Sequence, residues 1–402
     1  MAAILHGVRV LDLTTIVAGP YATMLLADLG AEIIKVEAPG GDAYRSAKPT
    51  IQRGVGAPFV GVNRGKRSVG IDLKTPGGQT VLARLASRCD VVVSNMRPAA
   101  ATRLGVDAQA LQAHNPQLIH CSSTGFGSDG PDAELPAYDD VIQGRAGLSS
   151  LLGFDRSAPV LAPTVMADKV TGLHVTQAVL AALYHRERTG EALVVEVPML
   201  ETVTSFVMAE HMGGAAMEPP IGPVGYNRLL TPNRRPFATT DGHVVILPYT
   251  SRHWAALLDW IEAADADPAG AWAAATWITD ADERAGRVGE LYGMLGDLLR
   301  TRSSEEWITV LRELDIPAGH VNSLAEVFND PHLAALGFFE RTETVYGTVV
   351  SPRHPVRYAG EAQPHPGPPP LPGQDTADLL AEIGFDEQAI TGLLTDRAVW
   401  GS

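Results

Sequence analysis

Cysteine is almost absent from this chain of 402 residues, which has only Cys89 and Cys121 and no CxxC pair. So little cysteine argues against a disulfide framework and against a structural zinc site. The N-terminus has no basic region leading into an apolar one, and no apolar run approaches the ~20 residues of a membrane-spanning helix. The sequence therefore predicts a cytoplasmic protein with no metal site and no membrane partner.

Positive charge is also in short supply. Lysine and arginine together number 31 against 46 aspartates and glutamates, which gives a net charge of −15. A protein with this much negative charge repels DNA, so nucleic acid is not an expected partner. Any anionic small molecule must then be held by a local cluster of positive groups.

Several catalytic signatures are missing as well. The chain has no G-x-S-x-G nucleophile elbow and no HExxH helix. It does contain a formal GxGxxG, Gly125–Gly130, directly after a strand-like run. The residues that follow, PDAELPAYDD, contain two prolines and do not begin the helix that a dinucleotide site requires. We therefore expect a loop here and no nicotinamide or flavin oxidoreductase.

Short β-branched runs alternate with helical patterns through the first half of the chain. Regular alternation of this kind predicts an α/β fold, with a mostly parallel sheet covered by helices on both faces. The predicted strands are Val8–Leu13, Glu32–Glu37, Ser68–Leu73, Asp90–Asn95 and Leu118–Ser123.

Composition changes after residue 212. The glycine- and proline-rich Gly213–Pro236 predicts an extended linker between a large domain, residues 1–212, and a smaller α+β domain, residues 237–330. Five of the six tryptophans fall within this smaller domain. Residues 331–402 are predicted to return to the large domain through the proline-rich Gln363–Gly373, which suits an extended crossing segment or an SH3-type partner.

One carboxylate, Asp168, interrupts the apolar stretch PVLAPTVMADKVTGLHVTQAVLAAL. An aspartate at the start of a helix is a common N-cap, because its carboxylate accepts hydrogen bonds from the first free N–H groups. Capping alone would explain why an aspartate occurs at position 168. We expect His174, on the same helix, to be a packed core histidine.

Positive residues of the large domain are concentrated in two stretches. NRGKRSVGIDLK and SNMRPAAATRLG contribute Arg64, Lys66, Arg67, Lys74, Arg97 and Arg103. In open α/β sheets ligands bind beyond the carboxyl ends of the strands, and guanidinium groups suit phosphates. A phosphorylated cofactor and a solvated surface are both compatible with these residues.

Five ordered blocks carry a family signature and cover most of the first 200 residues. They are RVLDLTTIVAGPYATMLLADLGAEIIKVE, NRGKRSVGIDLKTPGG, DVVVSNMRPAAATRLG, STGFGSDGP and APTVMADKVTGLHVTQAVLAALYHRERTG. Together they resemble the class III CoA-transferases, the family that includes formyl-CoA transferase, carnitine CoA-transferase and the alpha-methylacyl-CoA racemases. The resemblance implies a Rossmann-like large domain whose parallel sheet is built from both chain ends, a small domain between them, and an interlocked homodimer.

The resemblance also implies that Asp168 is catalytic, since it falls where the family's transferases keep their catalytic aspartate. A carboxylate suits this chemistry because it can accept the acyl group as a mixed anhydride and then carry CoA itself. Coenzyme A is implied as part of an acyl-CoA substrate, with a free carboxylic acid as the second substrate. Its implied contacts are Ile71, Asp72, Leu73, Lys74, Asn95, Met96, Arg97, Arg103 and Tyr138, with Arg97 and Arg103 on the phosphates.

Tyr138 distinguishes two reactions within the family. The racemases have a histidine at the corresponding position, whereas a tyrosine, with a pKa near 10, is a poor base at neutral pH. We therefore expect an acyl-CoA:carboxylate CoA-transferase. An acyl-CoA racemase or isomerase of the same fold, and a non-catalytic acyl-CoA binding protein, remain the alternatives.

Two features bear on which acids are transferred. Val17 replaces a glutamine that follows the first strand in formyl-CoA transferase, and the glycine-rich loop of that enzyme has no clear counterpart. We therefore expect an acid larger or differently polar than formate or oxalate. Arg228, Arg234 and Arg235 suit either a dicarboxylate such as succinate or a solvated surface.

Overall fold

The fold is given by a computed structural model that describes residues 3–360 and 367–401. The chain forms two compact units. Unit 1 contains the described residues up to Leu152, Val160–Met208 and those from Gly337 onward, and unit 2 contains Gly153–Pro159 and Ala209–Leu336. The segment Gly213–Pro236, which the sequence predicted as a linker, lies inside unit 2 and is held there by backbone hydrogen bonds.

Fourteen strands lie in the described residues. They are β1 Arg9–Leu13, β2 Glu32–Glu37, β3 Thr50–Gln52, β4 Val55–Gly56, β5 Lys66–Ile71, β6 Val91–Ser94, β7 Ile119–Ser122, β8 Val194–Glu196, β9 Phe237–Ala238, β10 His243–Ile246, β11 Ala318–His320, β12 Phe339–Thr344, β13 Gly347–Pro352 and β14 Val399–Trp400. Each predicted strand is present within two residues of its expected ends.

Seventeen α-helices lie in the same part of the chain. They are α1 Ala18–Asp28, α2 Ala57–Asn63, α3 Pro76–Ala86, α4 Pro98–Arg103, α5 Ala108–Gln112, α6 Asp139–Arg145, α7 Leu148–Leu152, α8 Met166–Thr189, α9 Met199–His211, α10 Ser251–Ala263, α11 Ala271–Ala274, α12 Ala281–Gly286, α13 Val288–Leu299, α14 Ser304–Glu313, α15 Pro331–Ala335, α16 Thr376–Glu382 and α17 Glu387–Thr395. Among the described helices, none combines the length and the apolar character that a membrane span requires.

Seven strands form the main sheet of unit 1, in the order β14-β5-β2-β1-β6-β7-β8. All neighbours pair in parallel except β14, which runs antiparallel to β5. The predicted α/β fold with a mainly parallel sheet is therefore confirmed.

Both faces of the central strands are buried, and this explains the apolar runs in β1, β2 and β6. Side chains alternate between the faces, so that in β1 Val10 contacts one core and Leu11 and Leu13 contact the other. Helices α1 and α8 cover the face of Val10, and α3 and α16 cover the opposite face.

The C-terminal part of the chain completes unit 1. Leu379 and Leu380 of α16 and Val399 of β14 belong to the same buried cluster as β1 and α3. Burying a side chain of this kind contributes roughly 2 kcal/mol. Both ends of the described chain therefore contribute to one core.

The proline-rich segment is described only from Gly367 onward, and Gln363–Pro366 lie outside the described residues. Its described part runs along unit 1, where the carbonyl of Pro370 accepts a hydrogen bond from Arg45. The carbonyl of Pro369 accepts another from the hydroxyl of Tyr346. Its described part belongs to unit 1, which the chain has already re-entered at Gly337.

Unit 2 combines a small antiparallel sheet with helices. Strand β10 pairs with β9 and β11, and helices α10, α13 and α14 supply much of the apolar core. Trp254, Trp272, Trp277 and Trp307 lie in this core, and the indole N–H of the fully buried Trp307 donates to the carbonyl of Leu299. The tryptophans concentrated in this region thus serve its packing.

Candidate active site

Two buried ion pairs support the carboxyl ends of β1 and β2. Lys66 Nζ lies 2.9 Å from Asp12 Oδ2, and Lys35 Nζ lies 2.9 Å from Asp42 Oδ2, with all four side chains fully buried. Burial lowers the pKa of Lys66 to about 8. Burial opposes ionisation of Asp12, but Lys66 and Lys35 hold its pKa below the usual range. Because breaking one buried pair costs about 3–5 kcal/mol, this edge of the sheet is firmly fixed.

The β1–α1 loop, Thr14–Val17, lies above these pairs and contains a strained residue. Ile16 has φ of 72°, in the left-handed region that β-branched side chains avoid. Its N–H donates to Asp42 Oδ1 at 3.3 Å. The backbone of Thr15 exchanges hydrogen bonds of 3.1 and 2.9 Å with the side-chain amide of Asn95. Strain held in place by its surroundings in this way is typical of functional sites.

Helix α8 begins beside this loop. Gly172 of α8 packs against the first turn of α1, where an added Cβ would lie 2.8 Å from the carbonyl oxygen of Ala18. One turn later, Thr176 donates to the carbonyl of Ala22 at 3.3 Å. Because Asp168 precedes Gly172 by one turn, this register brings Asp168 level with the β1–α1 loop.

Asp168 is a buried carboxylate without a positive partner. It is the third residue of α8 and is only 8 % exposed. Within the described residues, no group donates a hydrogen bond to its carboxylate. Burial, together with the charges of Asp139 and Asp140, raises the pKa of Asp168 to about 7. Near neutral pH the side chain is therefore divided between its protonated and ionised forms.

Asp139, in the first turn of α6, fixes the backbone of Asp168. Its Oδ1 accepts the N–H of Asp168 at 2.9 Å, and its Oδ2 accepts a hydrogen bond from Gln143 Nε2. Gln143 is fully buried, and its Oε1 accepts the N–H of Ala162 at 2.8 Å. This chain of hydrogen bonds ties α6 to the start of α8 and to the segment that precedes it.

Two tyrosines belong to the same neighbourhood. Tyr138, which the sequence placed near the reacting centre, directly precedes Asp139 and is 69 % exposed. Tyr44 lies in the 3-10 turn Ala43–Ser46, and burial followed by the charge of Asp168 raises the pKa of its hydroxyl. Tyr44 thus lies close enough to Asp168 for the negative charge of Asp168 to affect its pKa.

The segment Ile71–Lys74 and the end of α4 are joined by a side chain that the sequence analysis missed. Gln79 Nε2 donates to the carbonyl of Leu73 at 2.6 Å and to the carbonyl of Leu104 at 2.9 Å. Ile71 is fully buried, and it pairs with Val399 of β14. Two of the stretches expected to contact coenzyme A are therefore brought together by one glutamine.

The remaining expected contacts differ in what their side chains do. The side-chain amide of Asn95 is hydrogen-bonded to the backbone of Thr15, and Met96 packs against the sheet core. Arg97 is exposed, and its Nη1 donates to the carbonyl of Glu134 at 3.1 Å. Of the other three residues, Asp72 is partly exposed, and Lys74 and Arg103 are exposed.

Two expectations about α8 are wrong. Asp168 is not the N-cap, because the helix begins at Met166 after Val165 and Asp168 is already within its first turn. His174 is not a core residue, because it lies on the exposed side of the helix with its Nδ1 2.9 Å from the carbonyl of Val170. An apolar run determines neither where a helix begins nor which of its faces is covered.

Gly125–Gly130 forms bends and a turn with no helix, as expected from the prolines that follow it. The N–H of Gly127 donates to Glu201 at the start of α9 at 2.9 Å, so the loop is tied to a neighbouring helix. In the part of the chain that the structure describes, no three histidine, cysteine, aspartate or glutamate side chains are grouped as a metal site requires.

Known proteins are similar to this chain in sequence and in fold. The pattern of CoA-transferase family III matches residues 5–376. Succinyl-CoA:glutarate CoA-transferase of Mus musculus is 32% identical, over 98% of this chain and 90% of that protein. Probable fatty acyl-CoA transferase Rv3272 of Mycobacterium tuberculosis is 33% identical, over 94% of this chain and 97% of that protein.

The similarity extends to three dimensions. The crystal structure of a CAIB/BAIF family protein from Brucella suis is similar with a TM-score of 0.80 at 28% identity, covering 95% of this chain and 100% of that chain. The match of sequence pattern, relatives and fold runs along nearly the whole length. This chain therefore belongs to CoA-transferase family III.

Proposed function

We propose that this protein transfers CoA from an acyl-CoA thioester to a free carboxylic acid through an aspartyl-CoA intermediate on Asp168. The observation that carries the proposal is the surroundings of Asp168, a buried carboxylate with Asp139 and Asp140 nearby and no cation paired with it among the described residues. The names of the relatives in mouse and Mycobacterium tuberculosis support the class of reaction.

The surroundings of Asp168 favour its neutral, covalent forms. Burial and nearby acids disfavour an ionised carboxylate, and this is the cause of its raised pKa. Acylation removes the negative charge, so an anhydride or thioester at this position escapes the unfavourable interaction. Burial also limits the access of water to the activated ester, which protects it from hydrolysis.

The reaction proceeds by successive acyl transfers, first at the carbonyl carbon of the donor thioester and then at the carboxyl carbon of Asp168. The Asp168 carboxylate attacks the thioester carbonyl of the donor, which forms a mixed anhydride and releases CoA thiolate. The thiolate then attacks the Asp168 carbonyl, releasing the donor acid and leaving Asp168 as a CoA thioester. The acceptor carboxylate reverses both steps, so that the new acyl-CoA leaves and the Asp168 carboxylate is restored.

We place coenzyme A along Ile71–Lys74 and Asn95–Arg103 at the carboxyl edge of the main sheet. Lys74, Arg97 and Arg103 are the cations that meet its phosphates, as the net charge of −15 requires of a local site. The interlocked homodimer and the cytoplasmic location belong to the same proposal.

The direct test replaces Asp168 by asparagine, which keeps the size of the side chain and removes the nucleophile. Purified protein is incubated with a panel of acyl-CoA donors and free acids, and the CoA thioesters formed are identified by mass spectrometry. We expect Asp168→Asn to lose at least about 10³-fold in transfer rate while retaining CoA affinity by calorimetry. Asp129→Asn, at an exposed aspartate in the Gly125–Gly130 loop, is the matched control.

The outcomes separate the alternatives. Transfer by Asp168→Asn at a rate near that of wild type would remove Asp168 from the reaction. Incorporation of deuterium at the α-carbon of an acyl-CoA, without exchange of acids, would indicate a racemase instead. Tight CoA binding with neither activity would indicate a non-catalytic binding protein.

A further inference from the structure

Unit 2 contains a cavity of about 710 Å³ whose lining combines aromatic side chains with two arginines. These are Arg228 and Arg284, called here the cavity arginines. Every residue of the lining belongs to unit 2, so the cavity is formed by one unit alone. Its volume lies in the range of cavities that hold small organic molecules.

Arg284, in α12, is a buried cation without a carboxylate partner. It is only 8 % exposed, and its guanidinium donates to the carbonyl of Ile278 and to the hydroxyl of Ser251. Within the described residues, no aspartate or glutamate forms an ion pair with it. A guanidinium has more N–H groups than these two bonds use. Because a buried charge is costly unless it is paired, Arg284 indicates a place for an anion.

Arg228 is held by aromatic neighbours. Its guanidinium lies over the ring of Tyr249, 4.8 Å from the centroid. Burial opposes its ionisation, but the hydroxyls of Tyr226 and Tyr292 raise its pKa above the usual value. A cation that is positioned and charged before a ligand arrives loses little conformational entropy on binding.

Other arginines of unit 2 find carboxylates even at the surface. Arg252, Arg287 and Arg300 are exposed, and each forms an ion pair with an aspartate or glutamate. Acidic side chains are abundant in a protein with a net charge of −15, yet the cavity arginines pair with none in the described part of the chain. This local excess of positive charge suits an anion that comes from outside the chain.

The rest of the lining indicates the chemical class of that anion. Its buried part includes Trp254, Leu291 and Tyr292. The more exposed Tyr226 and Tyr249 belong to the same lining. Guanidinium groups pair with carboxylates in two-point contacts, and aromatic side chains gain additional energy when they contact another ring. An aromatic ring that carries a carboxylate provides both.

We propose that this cavity binds an aromatic carboxylate, whose carboxylate group meets the cavity arginines and whose ring packs among the aromatic side chains. Binding at this cavity does not depend on the proposed transfer of CoA, because Asp168 is not among the lining residues. The chain would then have a ligand site of its own in unit 2.

The first test compares a carboxylate with its amide. Calorimetry measures the binding of 2-naphthoate and of 2-naphthamide, which has the same ring and no charge, to the wild-type protein. We expect 2-naphthoate to bind at least about tenfold more tightly, because only the carboxylate pairs with guanidinium groups. Equal affinities, or no binding of 2-naphthoate, would overturn the proposal.

A second comparison tests the aromatic part of the ligand. Decahydro-2-naphthoate carries the same carboxylate on the corresponding saturated rings. Contacts between aromatic rings predict that 2-naphthoate binds about threefold more tightly than this saturated acid. An equal or higher affinity for the saturated acid would assign the cavity to aliphatic acids and overturn the proposed class.

Substitution tests the cavity arginines themselves. Arg284→Gln and Arg228→Gln should each weaken 2-naphthoate binding by about tenfold and leave 2-naphthamide binding nearly unchanged. Arg300→Gln, exposed and outside this cavity, is the control. Thermal melts first establish which variants are folded, and Arg228→Gln carries the test if the buried Arg284→Gln does not fold. Unchanged 2-naphthoate affinity in the folded cavity variants would overturn the proposal.

Two further titrations separate this cavity from the site of transfer. 2-Naphthoate should bind Asp168→Asn as tightly as it binds wild type, and a loss of binding there would assign the ligand to the acyl site. Adenosine 3′,5′-bisphosphate, the nucleotide part of CoA, should bind Arg228→Gln and Arg284→Gln as tightly as wild type. A loss of its affinity would assign the cavity arginines to the nucleotide. Either loss would overturn the proposal, whereas failure of the transfer reaction alone would leave all these affinities unchanged.

Discussion

The backbone N–H of Asp168 donates a 2.9 Å hydrogen bond to Oδ1 of Asp139. Asp139 therefore fixes the position of the proposed nucleophile, while its charge adds to burial in raising the pKa of Asp168. A change of Asp139 to asparagine removes the charge and keeps an oxygen for the N–H of Asp168, but it loses the hydrogen bond that Oδ2 accepts from Gln143.

The first prediction concerns the pH dependence of transfer. Since the ionised Asp168 is the nucleophile and its pKa is raised to about 7, kcat/KM should rise with pH through about 7. Asp139→Asn removes a negative charge, lowers the pKa of Asp168 and should shift this rise to lower pH. Asp129→Asn, in the Gly125–Gly130 loop, is the control. A profile that does not move would show that the charge of Asp139 has no part in the effect.

The second prediction concerns stability. The pKa of Asp168 is raised from the usual 3.8 to about 7 in the folded protein. Between these two pH values Asp168 therefore binds more protons in the folded than in the unfolded state. The fold therefore loses stability as pH rises through this range, and the loss persists above it. Asp168→Asn should raise the free energy of unfolding by about 1–4 kcal/mol at alkaline pH.

Urea unfolding at two pH values checks this prediction. The gain should be present at pH 8 and nearly absent near pH 3, where Asp168 is largely protonated in both states. If Asp168→Asn is less stable than wild type at pH 8, then the ionised carboxylate does not carry the unfavourable energy proposed for it.

The third prediction concerns Gln143, which donates to Asp139 and accepts the N–H of Ala162. Gln143→Ala leaves both partners unsatisfied in a buried place and should lower the free energy of unfolding by about 2–4 kcal/mol. It should also lower kcat more than it raises KM, because the start of α8 loses its anchor. The exposed Gln109→Ala is the control, and equal effects of the two changes would contradict a role for this network.

The sequence predicted the main sheet well because buried parallel strands leave a clear apolar signal, as in DVVVSN and EIIKVE. It identified Asp168 only through the family resemblance, since an isolated aspartate near a helix start is more commonly a cap. Tyr44, Gln79, Asp139 and Gln143 were missed. Their roles depend on contacts between distant parts of the chain, and no periodicity or spacing records such contacts.

The fourth prediction separates two residues that the resemblance assigned alike. The amide of Asn95 holds Thr15 in the β1–α1 loop. Asn95→Ala should therefore cost about 1–2 kcal/mol of stability and slow transfer, with little change in CoA affinity. Arg103→Gln should instead weaken CoA binding by about tenfold and leave the unfolding free energy unchanged. Calorimetry and urea unfolding of both variants would reveal the reverse pattern if these roles are exchanged.

The fifth prediction concerns the buried pair of Asp12 and Lys66. Asp12→Ala leaves a buried lysine without its partner and should destabilise the fold by about 3–5 kcal/mol. Combining it with Lys66→Met should recover part of that loss, because no unpaired charge remains. A double variant less stable than the sum of the single changes would contradict this account of the pair.

The central claim is tested most directly by trapping the covalent intermediate. The enzyme is incubated with an acyl-CoA donor, treated with borohydride, which reduces an aspartyl thioester to an alcohol, and digested for mass spectrometry. We predict a single modified peptide, with the change at Asp168, and none when the donor is omitted. Modification at a different residue, or no modification while transfer continues, would contradict the mechanism.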